Sequence, residues 1–430
     1  MIELNSNKKS KAIVVFPNVY HSEIKLSPEA RLEEAHGLAL AINLDVVYSE
    51  IVNLKQIKPA TYFSSGFIEK FLQIIEENEA ELLIVDATIT PIQQRNLEKS
   101  LKIKVIDRTA LILEIFGERA NTREGVLQVE LAHLTYQRSR LVRSWTHLER
   151  QRGGAGFLGG PGETQIELDR RLIDDKIVKI KKELEKVKKT RELHRGARRK
   201  VPYPIVALVG YTNAGKSSIF NALSNANVFA QDLLFATLDP TMRKISLPSG
   251  REIILSDTVG FISDLPHELV MSFRATLEEV LEADVVVHVR DIANIDTAAQ
   301  KKDVLSVLAN LGLKDIESDE KYLEVLNKID MLSEEEKKYQ QNFCQNSDSF
   351  VATSAHTGEG LERLLELVEK TLSSKHLVKK LKISVSDGKL ISWIYQNADV
   401  LDVENKDEYM HLTFKISQQE FSKLESKLSS

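Results

Sequence analysis

The stretch IVALVGYTNAGKSSIFNAL, from Ile205 to Leu223, sets an apolar β-like run before Gly210-x-x-x-x-Gly215-Lys216-Ser217 and an amphipathic helical run after it. Strand, glycine-bounded loop and helix start, in that order, are what a phosphate chain requires of a protein. The glycines let backbone N–H groups along Tyr211, Thr212, Asn213, Ala214 and Gly215 turn inward as an anion nest, to which the new helix adds its positive dipole end. Lys216 is then placed to reach the β- and γ-phosphates, and the Ser217 hydroxyl to ligate Mg2+.

Three further motifs follow in an order that separates a guanine-nucleotide switch from a general P-loop ATPase. A β-like run from Ile253 to Ser256 ends at Asp257-Thr258-Val259-Gly260, where the aspartate can hold Mg2+ through its water shell and the Gly260 N–H can sense the γ-phosphate. The strand-like YLEVL leads to Asn327-Lys328-Ile329-Asp330. The Asp330 carboxylate can accept from both N1–H and the 2-amino group of guanine, a donor pair that adenine lacks; a buried carboxylate left unpaired by the wrong base would enforce the choice. Thr353-Ser354-Ala355 follows FVA and can offer a backbone N–H to guanine O6. Between the first two motifs, Phe235-Ala236-Thr237-Leu238-Asp239 supplies a loop threonine to complete Mg2+ coordination and report the γ-phosphate. Thr237 is preferred to Thr241. Lys216, Thr237 and Gly260 are thus the expected catalytic groups, and Ser217 and Thr237 the expected metal ligands.

Two positions qualify the mechanism. The residue after Gly260 is Phe261, where glutamine orients the attacking water in Ras-like proteins, and an aromatic ring cannot do that. Slow intrinsic hydrolysis is expected, raised when a partner orders the loops, with His267 in cis as the weaker option. Asn213 resembles the P-loop asparagine of G proteins that recruit K+ beside the phosphates; the alternative is that it stabilises the loop by hydrogen bonding.

The elements that must position these groups come from the rest of the 430 residues. Before Glu118, β-like runs (AIVVF, LLIV, IKVI) alternate with amphipathic stretches, and Ser27-Pro28 and Thr90-Pro91 mark two helix starts. From Gly125 to Lys200 the period becomes helical. Leu127, Leu131, Leu134, Leu141, Trp145 and Leu148 form one stripe, with Arg138 in the interrupted place, and Ile173, Ile177, Ile180, Leu184 and Val187 form a second. A glycine-rich segment, Arg152 to Arg171, separates them. The expected fold is α/β throughout: an N-terminal α/β domain (1–122), a helical hairpin with the glycine-rich loop (123–200), a P-loop domain with a mostly parallel sheet and helices on both faces (201–375), and a small C-terminal α+β unit read as βαβα (376–430).

Charge and cysteine usage bound the partners. Residues 138–200 hold 19 Lys/Arg against 9 Asp/Glu, a local +10 in a chain of net charge −5. This suits either a solvated helical face or a surface that contacts a polyanion. Cys344 is the only cysteine, so no intrachain disulfide exists. The opening MIELNSNKKS has no apolar signal core and no apolar run approaches bilayer length, so a cytoplasmic protein without stable membrane insertion is expected.

GYTNAGKS, FATLDPT, DTVGFISDLPHELVMSFRATLEE and GGAGFLGGPGETQIELDRR together resemble the HflX family of ribosome-associated translational GTPases, from about Asp107 to the end of the P-loop domain. Arg290 in VVVHVRD departs from the apolar pattern usual in such strands. The resemblance implies GTP and GDP binding, contact with the large ribosomal subunit and its rRNA, and nucleotide-dependent splitting or rescue of stalled or idle ribosomes by a protein that is a monomer off the ribosome. A ribosome-assembly GTPase would use the same motifs, an RNA-remodelling ATPase is opposed by Asp330, and a nucleotide-gated scaffold with negligible hydrolysis has Phe261 as its best argument.

Overall fold

A computed structural model describes residues 9–20, 26–151, 161–198, 203–224, 234–235, 241–264, 279–374, 376–406, 409–417, 421, 424 and 428. The first unit alternates β1 (Lys11–Val19), α1 (Pro28–Ala41), β2 (Asp45–Leu54), α2 (Ser65–Asn78), β3 (Leu82–Val85), α3 (Pro91–Leu101), β4 (Lys104–Asp107) and α4 (Arg108–Arg119). Its sheet is parallel, in the order β2-β1-β3-β4. The pleat sorts β1 between two cores: Ala12 and Val14 pack with α1 and α4, Ile13 and Val15 with α2 and α3. Both helix starts have the caps their sequence suggests. The Ser27 side chain accepts from the Ala30 N–H, and Thr90 and Gln93 form a reciprocal capping box.

Helices α5 (Arg123–Gln151) and α6 (Pro161–Arg198) form the expected hairpin. Leu127, Leu131 and Leu134 of one stripe meet Ile173, Ile177, Ile180, Leu184 and Val187 of the other. Arg138, the polar interruption, pairs with Asp174 at 3.3 Å across the helices. The glycine-rich residues 152–160 lie outside the described residues. Asp107 anchors the hairpin to the first unit: one carboxylate oxygen caps α4 at Ala110 N (2.9 Å) and accepts from Tyr136 Oη (2.8 Å), and the other accepts from Arg140 (2.7 Å).

The P-loop unit holds β5 (Ile205–Gly210), α7 (Lys216–Ser224), β6 (Thr241–Ser246), β7 (Glu252–Asp257), β8 (Val285–Asp291), α8 (Thr297–Leu311), β9 (Tyr322–Asn327), α9 (Glu334–Gln345), β10 (Phe350–Ala352) and α10 (Leu361–Ser374). The strands lie in the order β10-β9-β8-β5-β7-β6, parallel except for the β6–β7 pair. Val206 and Leu208 face α7 and α10, while Ala207 and Val209 face α8, so helices cover both sides. Arg290 has a plain structural explanation. It pairs with buried Glu324 of β9, which Lys301 also reaches at 2.7 Å.

In the C-terminal unit β11 (His376–Ser384), α11 (Gly388–Asn397), β12 (Asp399–Lys406) and β13 (Tyr409–Ser417) build an antiparallel sheet, β11-β13-β12. The expected βαβα order is corrected here. Helix α11 stops at Asn397, because Ala398 turns extended and the valine-containing run DVLDVENK adds a strand against β13.

His288 of β8 is buried and bonded through Nδ1 to Tyr322 Oη at 2.6 Å. Burial, reinforced by Arg290 and Lys301, holds its pKa down to about 3 from an ordinary 6.5. Because the folded value is depressed, the unfolded chain takes up the proton first, and stability is lost as pH falls below 6.5. In thermal unfolding from pH 6.5 to 4, the His288→Gln variant should lose less stability than wild type, the difference reaching about 3 kcal/mol at most; parallel pH profiles would contradict this.

Candidate functional site

The P-loop follows β5 at the C-terminal edge of the sheet, where parallel α/β folds place ligands. Gly215, at φ +96°, shows why no side chain is tolerated: a Cβ there would lie 2.1 Å from Asn327 Nδ2. Asn327 fastens three segments together. Its amide donates to Ala214 O (2.9 Å), and its carbonyl accepts from Ala355 N–H (3.0 Å) and Thr353 Oγ1 (3.2 Å). Asn213 is exposed with φ 57°, a left-handed conformation asparagine adopts more readily than most residues.

Lys216 lies buried across the loop, bonded to Gly210 O (3.1 Å) and Tyr211 O (2.7 Å). Burial lowers its pKa to about 8, with nearby Asp257 opposing the shift. Ser217 Oγ donates to Asp257 Oδ2 at 2.7 Å. A hydroxyl beside a carboxylate, at the end of a phosphate cradle, is a hard-oxygen pair suited to Mg2+ that keeps waters and phosphate oxygens as its other ligands. Among the described residues no cluster of three or more His, Cys, Asp or Glu forms an all-protein cage.

On the base side, Ser354 is buried and Ala355 half-buried. Lys328, at φ 67°, pairs with Asp291 at 2.8 Å, and buried Ile329 packs beneath the motif. Asp330 sits in a short 3-10 turn (Ile329–Met331) and is exposed. Of the loop residues, Phe235 is described; Ala236, Thr237, Leu238, Asp239 and His267 lie outside the described residues. Thr241, the alternative to Thr237, starts β6 opposite Asp257.

The loop after β7 is stitched to the P-loop. Thr212 N–H donates to Phe261 O (2.7 Å) and Phe261 N–H to Gly210 O (3.1 Å). Thr258 Oγ1 is occupied by Leu208 O at 2.6 Å, and Val259 joins the apolar core shared with the first unit. Gly260 is pressed against the P-loop: a Cβ there would fall 2.8 Å from Thr212 Cγ2 and 3.1 Å from Lys216 Nζ.

Residues that carry no sequence motif complete this side. Arg31 and Glu34 of α1, Asp86 after β3 and Arg108 of α4 are all buried. Arg31 bridges Asp86 (3.0 Å), Ser263 Oγ (3.0 Å) and Asp264 (2.5 Å). Arg108 pairs with Asp86 and Glu34 and donates to Ser263 O at 2.9 Å. Glu34 accepts from Ser263 Oγ (2.8 Å) and from the hydroxyl of Tyr211, which itself accepts from Ser263 N–H (2.7 Å). Burial and Glu34 push the Tyr211 pKa upward, so it stays a donor. Phe235 stacks edge-on against Phe116 of α4, ring centroids 4.7 Å apart. Spacing held the one available signal: Arg31, Glu34, Ala35, Leu38 and Ala39 form a single buried helical stripe, so two charges stood where apolar residues belong.

Comparison with known proteins identifies the family. Domains described as GTP-binding GTPase N-terminal, GTP-binding GTPase Middle Region, 50S ribosome-binding GTPase and HflX C-terminal domain match residues 29–117, 119–198, 205–328 and 340–430. The matches extend to both sides of the stretch whose resemblance was legible. GTPase HflX of Magnetococcus marinus is 48% identical over 90% of this chain and 88% of its own. GTPase HflX of Escherichia coli is 42% identical over 85% of this chain and 84% of its own. A crystal structure of a GTP-binding protein from Sulfolobus solfataricus in complex with GDP is 24% identical, covers 85% of this chain and 99% of that one, and has a TM-score of 0.45. With identity to the curated relatives sustained over nearly the whole length, the chain belongs to the HflX family and is a GTP hydrolase.

Proposed function

We propose that this chain binds GTP and GDP with Mg2+ at the edge of the six-stranded sheet and uses the difference between them to bind the large ribosomal subunit and split stalled or idle ribosomes in the cytoplasm. The observation that carries the nucleotide half is Asn327, which fastens the phosphate loop to both guanine-side segments. The ribosomal half is supported by the 50S ribosome-binding description of the domain matching residues 205–328 and by a basic hairpin beside it. Along α6, Lys176, Lys179, Lys181, Lys182, Lys186 and Lys189 are exposed, a surface suited to rRNA phosphates. Among the described residues no helix is long and apolar enough to cross a membrane.

In this reading Ser217 would ligate Mg2+, Asp257 would hold it through water and Thr237 would be a further ligand; the ion would neutralise charge on the β- and γ-phosphates. Lys216 gives up its two carbonyl partners for phosphate oxygens. Gly260 N–H faces the γ-phosphate and Asp330 reads guanine. The state of the γ-phosphate is transmitted through Ser263 and Tyr211 to Glu34 and Arg108. Adjacent Asp107 holds Tyr136 and Arg140 of the hairpin, so one dipeptide joins the nucleotide site to the basic lever. Phe261 carries no polar atom to orient water, which fits a hydrolysis rate low until a partner orders the loops.

Asp330→Asn should weaken GTP binding at least about 100-fold and improve binding of xanthosine triphosphate, whose 2-carbonyl can accept from the new amide. Unchanged preference for guanine over adenine would contradict the assignment. Sedimentation of ribosomes with the full chain should show subunits separating with GTP or a non-hydrolysable analogue and not with GDP; binding confined to free precursor subunits would favour a role in assembly and sink the splitting reading. With ribosomes present turnover should rise at least about tenfold, and equal turnover without them would oppose partner-stimulated hydrolysis. If Asn213 recruits K+, hydrolysis in KCl exceeds that in NaCl at equal ionic strength; equal rates would leave it a loop-stabilising residue.

A further inference from the structure

Several hydroxyls crowd the junction of the P-loop and the loop after β7. Thr258 Oγ1 is spent on Leu208 O at 2.6 Å, Ser217 Oγ on Asp257 at 2.7 Å, and Ser263 Oγ on Glu34 at 2.8 Å. Thr212 is different. Its residue is 7% exposed, and its hydroxyl oxygen is buried with no hydrogen-bond partner. A buried hydroxyl left unmatched is costly, and such groups survive where something else uses them.

The position says what that use is. A Cβ on Gly260 would lie 2.8 Å from Thr212 Cγ2, 2.9 Å from Thr212 Cα and 3.1 Å from Lys216 Nζ, so the threonine side chain, the Gly260 backbone and the lysine ammonium converge on one point. A χ1 change of about 120° carries the threonine hydroxyl into the place its methyl held, so Oγ1 has access to the face where Cγ2 now sits. Phe261 leaves a vacancy in chemistry there. The residue is 2% exposed with an apolar ring, and its N–H and C=O are consumed by Gly210 O and Thr212 N–H.

We propose that Thr212 is a catalytic residue whose hydroxyl contacts the γ-phosphoryl group and the attacking water, supplying from the P-loop the polar contact that Phe261 cannot. The water oxygen bonds to Pγ as the bond from Pγ to the β–γ bridging oxygen breaks. GDP departs with that electron pair, and the water's proton passes to an oxygen of the departing phosphate. Thr212 accepts a hydrogen bond from the water, donates its own to a phosphoryl oxygen and ends unchanged; a neutral hydroxyl orients the water and is not a base. This rests on the reading that Gly260 faces the γ-phosphate.

The test compares full-length Thr212→Val, which keeps shape and loses the hydroxyl, with Thr212→Ser, which keeps the hydroxyl. Single-turnover hydrolysis at saturating GTP is measured beside the affinity for a fluorescent GDP. Valine should slow hydrolysis about 10- to 100-fold with GDP affinity within about twofold of wild type, and serine should restore the rate to within a few fold. A valine variant hydrolysing at the wild-type rate overturns the proposal. So does one that loses GDP affinity in parallel, or a serine variant as slow as valine, because either makes Thr212 a structural part of the loop. Gly260→Ala tests the underlying reading separately: wild-type hydrolysis in that variant would move the γ-phosphate away from this point whatever Thr212 does.

Discussion

Four charged side chains buried together, Arg31, Glu34, Asp86 and Arg108, meet the P-loop unit through Tyr211, Ser263 and Asp264, and the arrangement of the whole site depends on them. Charges removed from water persist when paired and hydrogen-bonded, and removing one partner from such a set typically costs about 3–5 kcal/mol. Among the described residues, Tyr211, Ser263 and Asp264 of the P-loop unit take part in six of the ten hydrogen bonds that hold this cluster. The first unit therefore cannot shift relative to the loop after β7 without exposing or orphaning charge. Its apolar surroundings behave alike: Phe235, Val259 and Ile262 lie in the same core as Ala35, Ile112 and Phe116.

That dependence gives nucleotide chemistry a route outward. In the proposed function a change at Gly260 would pass through the backbone bonds of Phe261 to Ser263, whose N–H, O and Oγ are all tied into the buried cluster. Packed charge clusters rearrange between discrete states in preference to deforming smoothly. Asp107, next to Arg108, then holds the helical hairpin by Tyr136 and Arg140, so cluster and lever share one backbone segment.

Local chemistry was the legible part of this molecule. Phosphate binding requires glycine, lysine and serine at fixed spacing, and guanine recognition requires a carboxylate after a buried strand, so Gly215, Lys216, Ser217, Asn327 and Asp330 announce themselves in one dimension. Continuous apolar runs likewise marked β1 and β5, and the two stripes marked α5 and α6. What could not be read is what distance in sequence conceals: Tyr211 and Glu34 are 177 positions apart, and no periodicity links a P-loop tyrosine to a helix glutamate. The added strand β12 was missed for another reason: it depends on which edge of a sheet is left open, a property of assembly that residue types alone do not encode.

If the buried cluster is the coupling element, the amide hydrogens around it report the nucleotide. Hydrogen exchange over residues 28–41 and 123–141 of the full chain, bound to GDP or to a non-hydrolysable GTP analogue, measures this directly. Exchange rates in both segments should differ between the two nucleotides in wild type, and the difference should shrink when Tyr211→Phe removes the hydroxyl that joins the P-loop to Glu34. Identical protection in both nucleotide states, in segments whose nucleotide is demonstrably bound, would contradict the account.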